Sequence, residues 1–303
     1  MSNKKIILYE KIISNKNINF IRKKFIFKKK VRKSESKNVV GIYSFLEQSY
    51  EKKKLSKYKN LKFFLSPTTG YTHVDVSYLK ENKIKFFYLD SNDKEIKNIS
   101  STAELALTII LNSIRNIYKI LSDTKKSNFN RYKYNFRQFK NYNVGIIGFG
   151  RIGKKVFRYL KTLGFKIIIF DHNLKSFDLN FKKFISTCDI LTLHLPYKGK
   201  QIFNERNLNL LKKNVKLINT SRGELIDEIN LYNFLRKNPK SEYWTDVITK
   251  EQIRMRNIKL EKKFQKLNKL KNFFYTPHIG GASIDAMEEV EKYVFTKLEY
   301  TIK

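Results

Sequence analysis

One hexapeptide constrains this chain more than any other feature. Gly148-Phe149-Gly150-Arg151-Ile152-Gly153 follows directly on an apolar run at 144–147 and opens a segment of helical spacing at 152–163. A GxGxxG alone is a weak signal, but between a strand and a helix it reads as a dinucleotide-binding turn. Gly148 permits the tight turn, Gly150 lets the backbone approach a pyrophosphate, and Gly153 lets helix and strand pack closely. Arg151 and Ile152 begin the helix, whose N-terminus offers free N–H groups and a positive dipole end to phosphate. Asp171 ends the next apolar run, 18 residues after Gly153. A carboxylate there accepts from ribose hydroxyls and repels a 2′-phosphate, so NAD is expected rather than NADP. The plain alternative is a glycine turn with an ordinary Asp cap. The order strand, turn, helix, strand, Asp weighs against it.

The rest of the chain suits that turn. A length of 303 residues fits two domains rather than one small core. The first hundred residues alternate apolar runs with polar segments. Strands are expected at 5–9, 38–43, 61–65 and 84–89, with a helix at 76–83, which is the pattern of a parallel α/β unit. Residues 22–33 are too basic to assign. Ser101-Thr102-Ala103-Glu104 has the spacing of a capping box, so a long helix is expected from Ser101 to about Leu121. Asn112, Ser113, Arg115 and Asn116 interrupt its apolar surface, which reads as a buried helix and not a membrane span. Residues 122–141 read as an irregular connection. A second α/β unit follows, with strands at 144–147, 166–170, 190–194, 215–219, 243–247 and 273–275. A basic helical or loop excursion is expected across 252–272.

The formal net charge of +36 raises the question of nucleic acid. Lysine far outnumbers arginine, whose forks read base edges, and the basic residues are spread along the chain. Abundant Lys, Asn, Ile, Phe and Tyr match a composition drifted toward A- and T-rich codons. Solvated lysine faces are therefore expected, with no nucleic-acid or membrane partner. The field should still attract anionic ligands. Hydrophobic residues at 41% supply a core. The single cysteine, Cys188, excludes an internal disulfide and fits a reducing, cytoplasmic setting. No signal-peptide pattern is visible in residues 1–13.

Three segments stand at expected strand ends: Asn219-Thr220-Ser221-Arg222-Gly223, Asp246 through Glu251, and Thr276-Pro277-His278-Ile279-Gly280-Gly281. In an open parallel sheet these ends converge on the ligand crevice. An arginine fork grips a carboxylate in two places. A histidine can give a proton to a carbonyl oxygen as a hydride arrives at its carbon. A glutamate on the other imidazole nitrogen fixes the tautomer and favours imidazolium. Taken singly, Arg222 reads as a surface salt-bridge former, Glu251 as one more exposed acid and His278 as a capping or core residue. The combination suits reduction of a 2-oxo acid.

In order along the chain, GFGRIG, His194-Leu195-Pro196, Asn219 to Glu228 (NTSRGELIDE), Asp246-Val247 and Thr276 to Ala282 (TPHIGGA) resemble the D-isomer-specific 2-hydroxyacid dehydrogenase family. The resemblance runs from about Leu61 to the C-terminus. It implies Arg222 as the anchor of the substrate carboxylate and carbonyl, His278 as acid/base and Glu251 as its partner. It implies Asp246 on the nicotinamide carboxamide, and Thr220 and Ser221 lining the cofactor. Ser66 to Asp75 resembles the substrate loop, where backbone N–H groups near Thr69 and Gly70 would meet the carboxylate. Two departures stand out. Tyr243 and Trp244 replace the small residues usual before the strand-end Asp and threaten to crowd the strand or the nicotinamide pocket. Gln252 stands where the family has proline.

The resemblance implies two doubly wound parallel-sheet α/β domains, a Rossmann-type NAD domain inserted in a flavodoxin-like substrate domain. The substrate domain is expected at 1–100, completed by 283–303, with the NAD domain at 101–282. An active site in the cleft between them, closing to exclude water, and a homodimer built through the cofactor domain are further implications. No metal is expected. In relatives that take phosphoglycerate, arginines after the strand at 38–43 hold the phosphate. Tyr43 and Phe45 fall at those positions, so a non-phosphorylated acid is expected, the alternative being that the nearby Lys52 to Lys54 serve a phosphate instead. Two other classes compete: a catalytically silent, NAD-sensing corepressor-like protein, and a basic nucleic-acid binder. Turnover of a 2-oxo acid with NADH would exclude the first. NADH affinity without retention on DNA at moderate salt would exclude the second.

Overall fold

The computed structural model describes residues 5–71, 73–90, 93–126, 129–171, 181–249, 251 and 262–302. It comprises two units, Met1–Ile99 with Ala282–Lys303, and Ser100–Gly281.

The first unit is a five-stranded parallel sheet. Its strands are β1 (Ile6–Tyr9), β2 (Ile26–Lys28), β3 (Val39–Tyr43), β4 (Phe63–Ser66) and β5 (Lys85–Tyr88), in the order β2-β1-β3-β4-β5. That is the flavodoxin-like order. The central strand β3 is buried along its length, as a parallel strand covered on both faces must be. One face packs Ile18 and Ile21 of the helix Asn15–Arg22 with Val294, Phe295 and Leu298 of the C-terminal helix Ile284–Ile302. The other packs Leu55 and Leu79 from two short helices. β2 lies in the basic segment that resisted assignment. It is a three-residue edge strand, half-buried throughout, so it needs no apolar run.

The second unit is a six-stranded parallel sheet among the described residues. Its strands are β6 (Asn143–Ile147), β7 (Lys166–Phe170), β8 (Ile190–Leu193), β9 (Lys216–Asn219), β10 (Glu242–Thr245) and β11 (Phe273–Tyr275), in the order β11-β10-β9-β8-β6-β7. The winding reverses between β6 and β8, which creates a crevice at their C-terminal ends. The two units together make an α/β fold of doubly wound parallel sheets.

Three expectations needed correction. The capping box expected at Ser101 does not form, since the helix starts one residue earlier and its N3 position is Ala103. Ser100 is the N-cap and its hydroxyl reaches the Glu104 carboxylate, while Ser101 Oγ donates instead to the Gly280 carbonyl at 2.7 Å. The helix is also not continuous to Leu121. It spans Ser101–Arg115, and Asn116 turns left-handed at φ 51° before a second helix, Ile117–Thr124. Asparagine tolerates that conformation better than most residues. The connection expected at 122–141 contains the end of this second helix and short 3₁₀ turns at Arg131–Lys133 and Phe139–Asn141. Of the excursion at 252–272, residues 252–261 lie outside the described residues, and Lys262–Asn268 is helical.

The aromatic residues before Asp246 do not crowd their strand. Side chains alternate faces along β10, so Tyr243 enters one core of the sheet and Trp244 the other. Each meets its register partner on β11. Trp244 stacks on Phe274 with centroids 4.0 Å apart, and Tyr243 stacks on Phe273 at 5.9 Å. The Tyr243 hydroxyl accepts from Asn219 Nδ2 at 3.1 Å, and the Trp244 indole donates to Glu242 at 2.8 Å.

Candidate active site

The glycine turn leaves β6 at the point where the winding reverses. Gly148 has φ 95°, and a Cβ there would lie 2.5 Å from the His194 carbonyl oxygen at the end of β8. Only glycine fits both demands. A Cβ on Gly153 would lie 2.1 Å from the Gly148 carbonyl, so helix Arg151–Thr162 can pack on the turn only without one. A Cβ on Gly150 would meet nothing within 4 Å, which leaves the first turn of the helix open on that side. Asp171 follows β7, and its carboxylate accepts the Phe149 N–H at 2.6 Å. It therefore shapes the turn. Burial pulls the Arg151 guanidinium below its ordinary range. Ile152 is partly buried against the core that also contains Val156 and Leu160.

Thr220 and Ser221 follow β9. Ser221 Oγ donates to the Leu193 carbonyl at 2.5 Å, so its hydroxyl is spent on the neighbouring strand. Thr220 Oγ1 is buried with no hydrogen-bond partner among the described residues. A buried hydroxyl without a partner costs free energy unless a ligand meets it. That orphan, the open Gly150 side and the helix N-terminus fit a dinucleotide. His194 is similar: burial holds it neutral, with a pKa of about 3, and its Nδ1 has no partner among the described residues.

The buried Asn219 builds the arginine turn. Its Nδ2 donates to the Arg222 carbonyl at 3.0 Å, and its Oδ1 accepts the Ser221 N–H at 3.0 Å. Arg222 is held extended and its Nη1 donates to the Ser221 carbonyl at 2.6 Å. The His278 loop hangs on Asp246, which is 2% exposed. Asp246 Oδ1 accepts from Thr276 Oγ1 at 2.5 Å and Ile279 N at 2.8 Å, and Oδ2 accepts from Gly280 N at 2.7 Å. Burial raises its pKa, and these three bonds oppose the rise. Asp246 thus fixes the loop in which His278 adopts φ 54°.

His278 Nδ1 lies 2.6 Å from Glu251 Oε2, and Glu251 Oε1 accepts the Ile248 N–H at 3.0 Å. Burial by itself lowers the imidazole pKa. The bond to Glu251, its charge and that of Asp246 outweigh burial and the opposing Arg222 charge, so the net shift is upward from 6.5. The His278 side chain is still 27% exposed. With Nδ1 committed, Nε2 is the nitrogen left to exchange a proton. The geometry thus joins His278, Glu251, Asp246 and the Arg222 charge within one unit. Thr69 and Gly70 belong to the other unit, in the loop after β4, and among the described residues nothing accepts from their backbone N–H groups. Thr72 of that loop lies outside the described residues.

Two supporting residues had not been singled out. Glu228 Oε1 accepts from the Thr249 N–H at 3.4 Å and from the Thr249 hydroxyl. A Cβ on Gly223 would lie 2.2 Å from the Ile248 carbonyl carbon. Together they clamp the segment that leads to Glu251 onto the turn that carries Arg222. Both lie in the NTSRGELIDE run, but their partners lie 21 or more residues away, so no local pattern reveals them.

Residues 107–280 match the model of the D-isomer specific 2-hydroxyacid dehydrogenase, NAD binding domain. The chain is 32% identical over 264 residues to the erythronate-4-phosphate dehydrogenase of Wigglesworthia glossinidia brevipalpis, a match covering 82% of this chain and 61% of that protein. It is 26% identical to the glyoxylate reductase of Thermococcus litoralis, over 86% of this chain and 80% of that one. Among solved structures, D-lactate dehydrogenase from Aquifex aeolicus, complexed with NAD and lactic acid, superposes with a TM-score of 0.84 at 24% identity, over 98% of this chain and 95% of that one.

Proposed function

The chain belongs to the D-isomer specific 2-hydroxyacid dehydrogenase family, and from that premise we propose that it interconverts a 2-oxo acid and a 2-hydroxy acid with NAD. The observation that carries the reading is the His278–Glu251 pair at 2.6 Å, on a loop fixed by Asp246. The dinucleotide whose phosphates the glycine turn would hold would supply or accept the hydride at C2 through its nicotinamide. Arg222 grips the substrate carboxylate and orients the carbonyl. His278 Nε2 gives its proton to the carbonyl oxygen in reduction and takes it back in oxidation. Glu251 holds the charged imidazolium in place. Thr69 and Gly70 add backbone donors for the carboxylate. Thr220 lines the cofactor, with Ser221 as a structural tie beneath it. Asp246 receives the carboxamide while holding the catalytic loop. Asp171 selects NAD over NADP. The intact Arg222, Glu251 and His278 set weigh against a silent, NAD-sensing protein.

The substrate is a non-phosphorylated acid with a modest side chain. The loop after β3 supports this through its own chemistry. Tyr43, one of the two positions aligned with the phosphate-binding arginines, points into the core. It is fully buried and donates its hydroxyl to Glu291 at 3.0 Å. Phe45 packs on the same core. The N–H groups of Phe45 and Glu47 are taken by the buried Glu10 carboxylate at 2.6 and 3.1 Å. A phosphate dianion would find a carboxylate beneath the loop and no arginine on it. Homodimerisation is part of the same reading. Ile117, Leu121, Phe129 and Tyr132 are exposed at 46, 56, 100 and 81%, an apolar concentration that a partner would cover.

Steady-state kinetics with NADH and a panel of 2-oxo acids test the reading. Hydroxypyruvate, pyruvate or a longer-chain acid should give the highest kcat/KM. A clear preference for 3-phosphohydroxypyruvate, or for the oxidation of a phosphorylated hydroxy acid such as the Wigglesworthia relative's name denotes, overturns the substrate class but not the chemistry. Absence of turnover across the panel overturns the enzyme.

A further inference from the structure

The sheet of the first unit has two ends. The loop containing Thr69 and Gly70 leaves its C-terminal end. At the N-terminal end opens a cavity of about 1050 Å³. Seven cations line it. Lys5, Lys62 and Lys85 stand at the entries to β1, β4 and β5. Arg22, Lys23 and Lys24 close the helix Asn15–Arg22 and its cap, and Lys83 sits before β5 in a left-handed turn, φ 53°. All seven are exposed. Among the described residues, no aspartate or glutamate lines the cavity.

Among the described residues, none of the seven takes part in an ion pair. Their compensation is slight. Arg22 donates to Asn15 at 2.9 Å, and Lys24 Nζ lies 3.4 Å from the Ile302 carbonyl at the end of the C-terminal helix. Elsewhere the chain spends its few acids on its cations, as where Lys212 and Arg137 converge on Asp189. The floor here is apolar, with Phe25, Leu61 and Phe63 almost wholly buried. Low-dielectric walls behind a concave ring of one sign concentrate the field in the opening. Strands are spaced by about 4.8 Å, so cations at the entries to β1, β4 and β5 reach across about 15 Å. A single phosphate cannot meet them all. A chain of several phosphates can, and the volume is that of a small-ligand site.

We propose that this cavity binds a small polyphosphate, the chemistry shared by nucleoside triphosphates and short inorganic polyphosphate, at a site separate from the dinucleotide turn. The cations act as phosphate ligands, and the apolar floor strengthens each contact by excluding water on one side. The site does not depend on the proposed reaction, so it stands or falls apart from the substrate reading.

Calorimetric titration tests it, on the full chain saturated with NADH so that the dinucleotide turn is filled, at physiological ionic strength. Inorganic tripolyphosphate and ATP should each bind saturably at one site per chain, and adenosine should not bind. Tighter binding of ATP assigns the site to nucleotides, and equal affinity assigns it to the phosphate chain. The triple variant Lys62→Glu, Lys83→Glu, Lys85→Glu should raise Kd by about tenfold or more and leave NADH binding unchanged, which also shows that it is folded. The same charge change at Lys161, Lys237 and Lys240 should shift Kd by no more than about twofold, as for dispersed surface charge. Equal shifts in the two triples, or several ligands bound per chain, would reduce the effect to diffuse attraction by the net charge and overturn the site. Stronger binding of single-stranded RNA than of ATP, lost in the first triple, would overturn it in favour of a nucleic-acid groove.

Discussion

The two units place carboxylates in different company, buried or half-buried beside similar parallel sheets. In the second unit, Asp246 and Glu251 hold a histidine loop whose imidazole stays partly exposed. In the first, Glu10 and Glu291 meet no cation among their described partners and hold only the fold. Glu291, wholly buried on the C-terminal helix, accepts from Ile13 N, Ser14 N, Asn17 Nδ2 and the Tyr43 hydroxyl at 2.8 to 3.1 Å. Burial raises the Glu10 pKa, and the loop N–H groups and the Ser44 hydroxyl hold it back. A buried carboxylate is thus not a sign of chemistry. What distinguishes the pair proposed to react is a titratable partner that can still reach solvent.

If that contrast is right, His278→Ala should produce the largest loss, about 10²–10⁴ in kcat. NADH affinity, read by fluorescence titration, should survive, since the glycine turn stands apart from the loop. An unchanged kcat would make His278 as structural as Glu291. Next in size, Glu291→Ala should leave Ile13 N, Ser14 N and the Tyr43 hydroxyl without an acceptor, Asn17 Nδ2 keeping the Glu288 carbonyl, and destabilise the first unit by about 3 kcal/mol. Urea unfolding followed by circular dichroism should show a transition at lower denaturant. An unmoved transition would mean that water replaces the carboxylate at no cost.

Glu228→Ala should lower kcat/KM by about tenfold, the worth of about one hydrogen bond near 1.4 kcal/mol. It should also move the pH profile, because Thr249 would no longer fix the segment before Glu251; Glu228→Gln, which keeps an acceptor, should recover part of both. A loss of activity with an unmoved profile would confine Glu228 to folding. The subtlest effect belongs to Glu251→Gln. The raised pKa of His278 keeps the proton available above 6.5, so reduction should hold at lower pH and fall as pH rises through that pKa. Without the carboxylate charge the falling limb should move to lower pH. An unshifted limb in the kcat/KM profile would place the acid elsewhere.

The same contrast explains what could be read from the residues alone. The second unit is legible because the chemistry proposed for it demands residue types: glycines where a Cβ would strike backbone, an aspartate after β7, and arginine, glutamate and histidine at three strand ends. In a chain that is 30% charged, Glu10 and Glu291 look like any solvated acid. Their burial depends on partners far off in sequence, 248 residues for Tyr43 and Glu291. The buried partner of Tyr43 was hidden for the same reason. Alternation along a strand buried on both faces does not say which side chains face a ligand. The aromatic pair before Asp246 resembled an obstruction because Phe273 and Phe274, its register partners, come from a strand about 30 residues later. Strand ends were expected within one or two residues, except for β2, whose three half-buried residues have no apolar signature.

Trp244 has one more consequence. It is the only tryptophan in the chain, 8% exposed, stacked on Phe274 and two residues before Asp246. Intrinsic emission excited at the red edge of the protein band therefore comes from a single address, in the second unit alone. It should change when β10 and β11 separate and stay silent while the first unit melts. Set beside circular dichroism, which sees both units, it turns one optical cell into two separate thermometers, one for each half of the molecule.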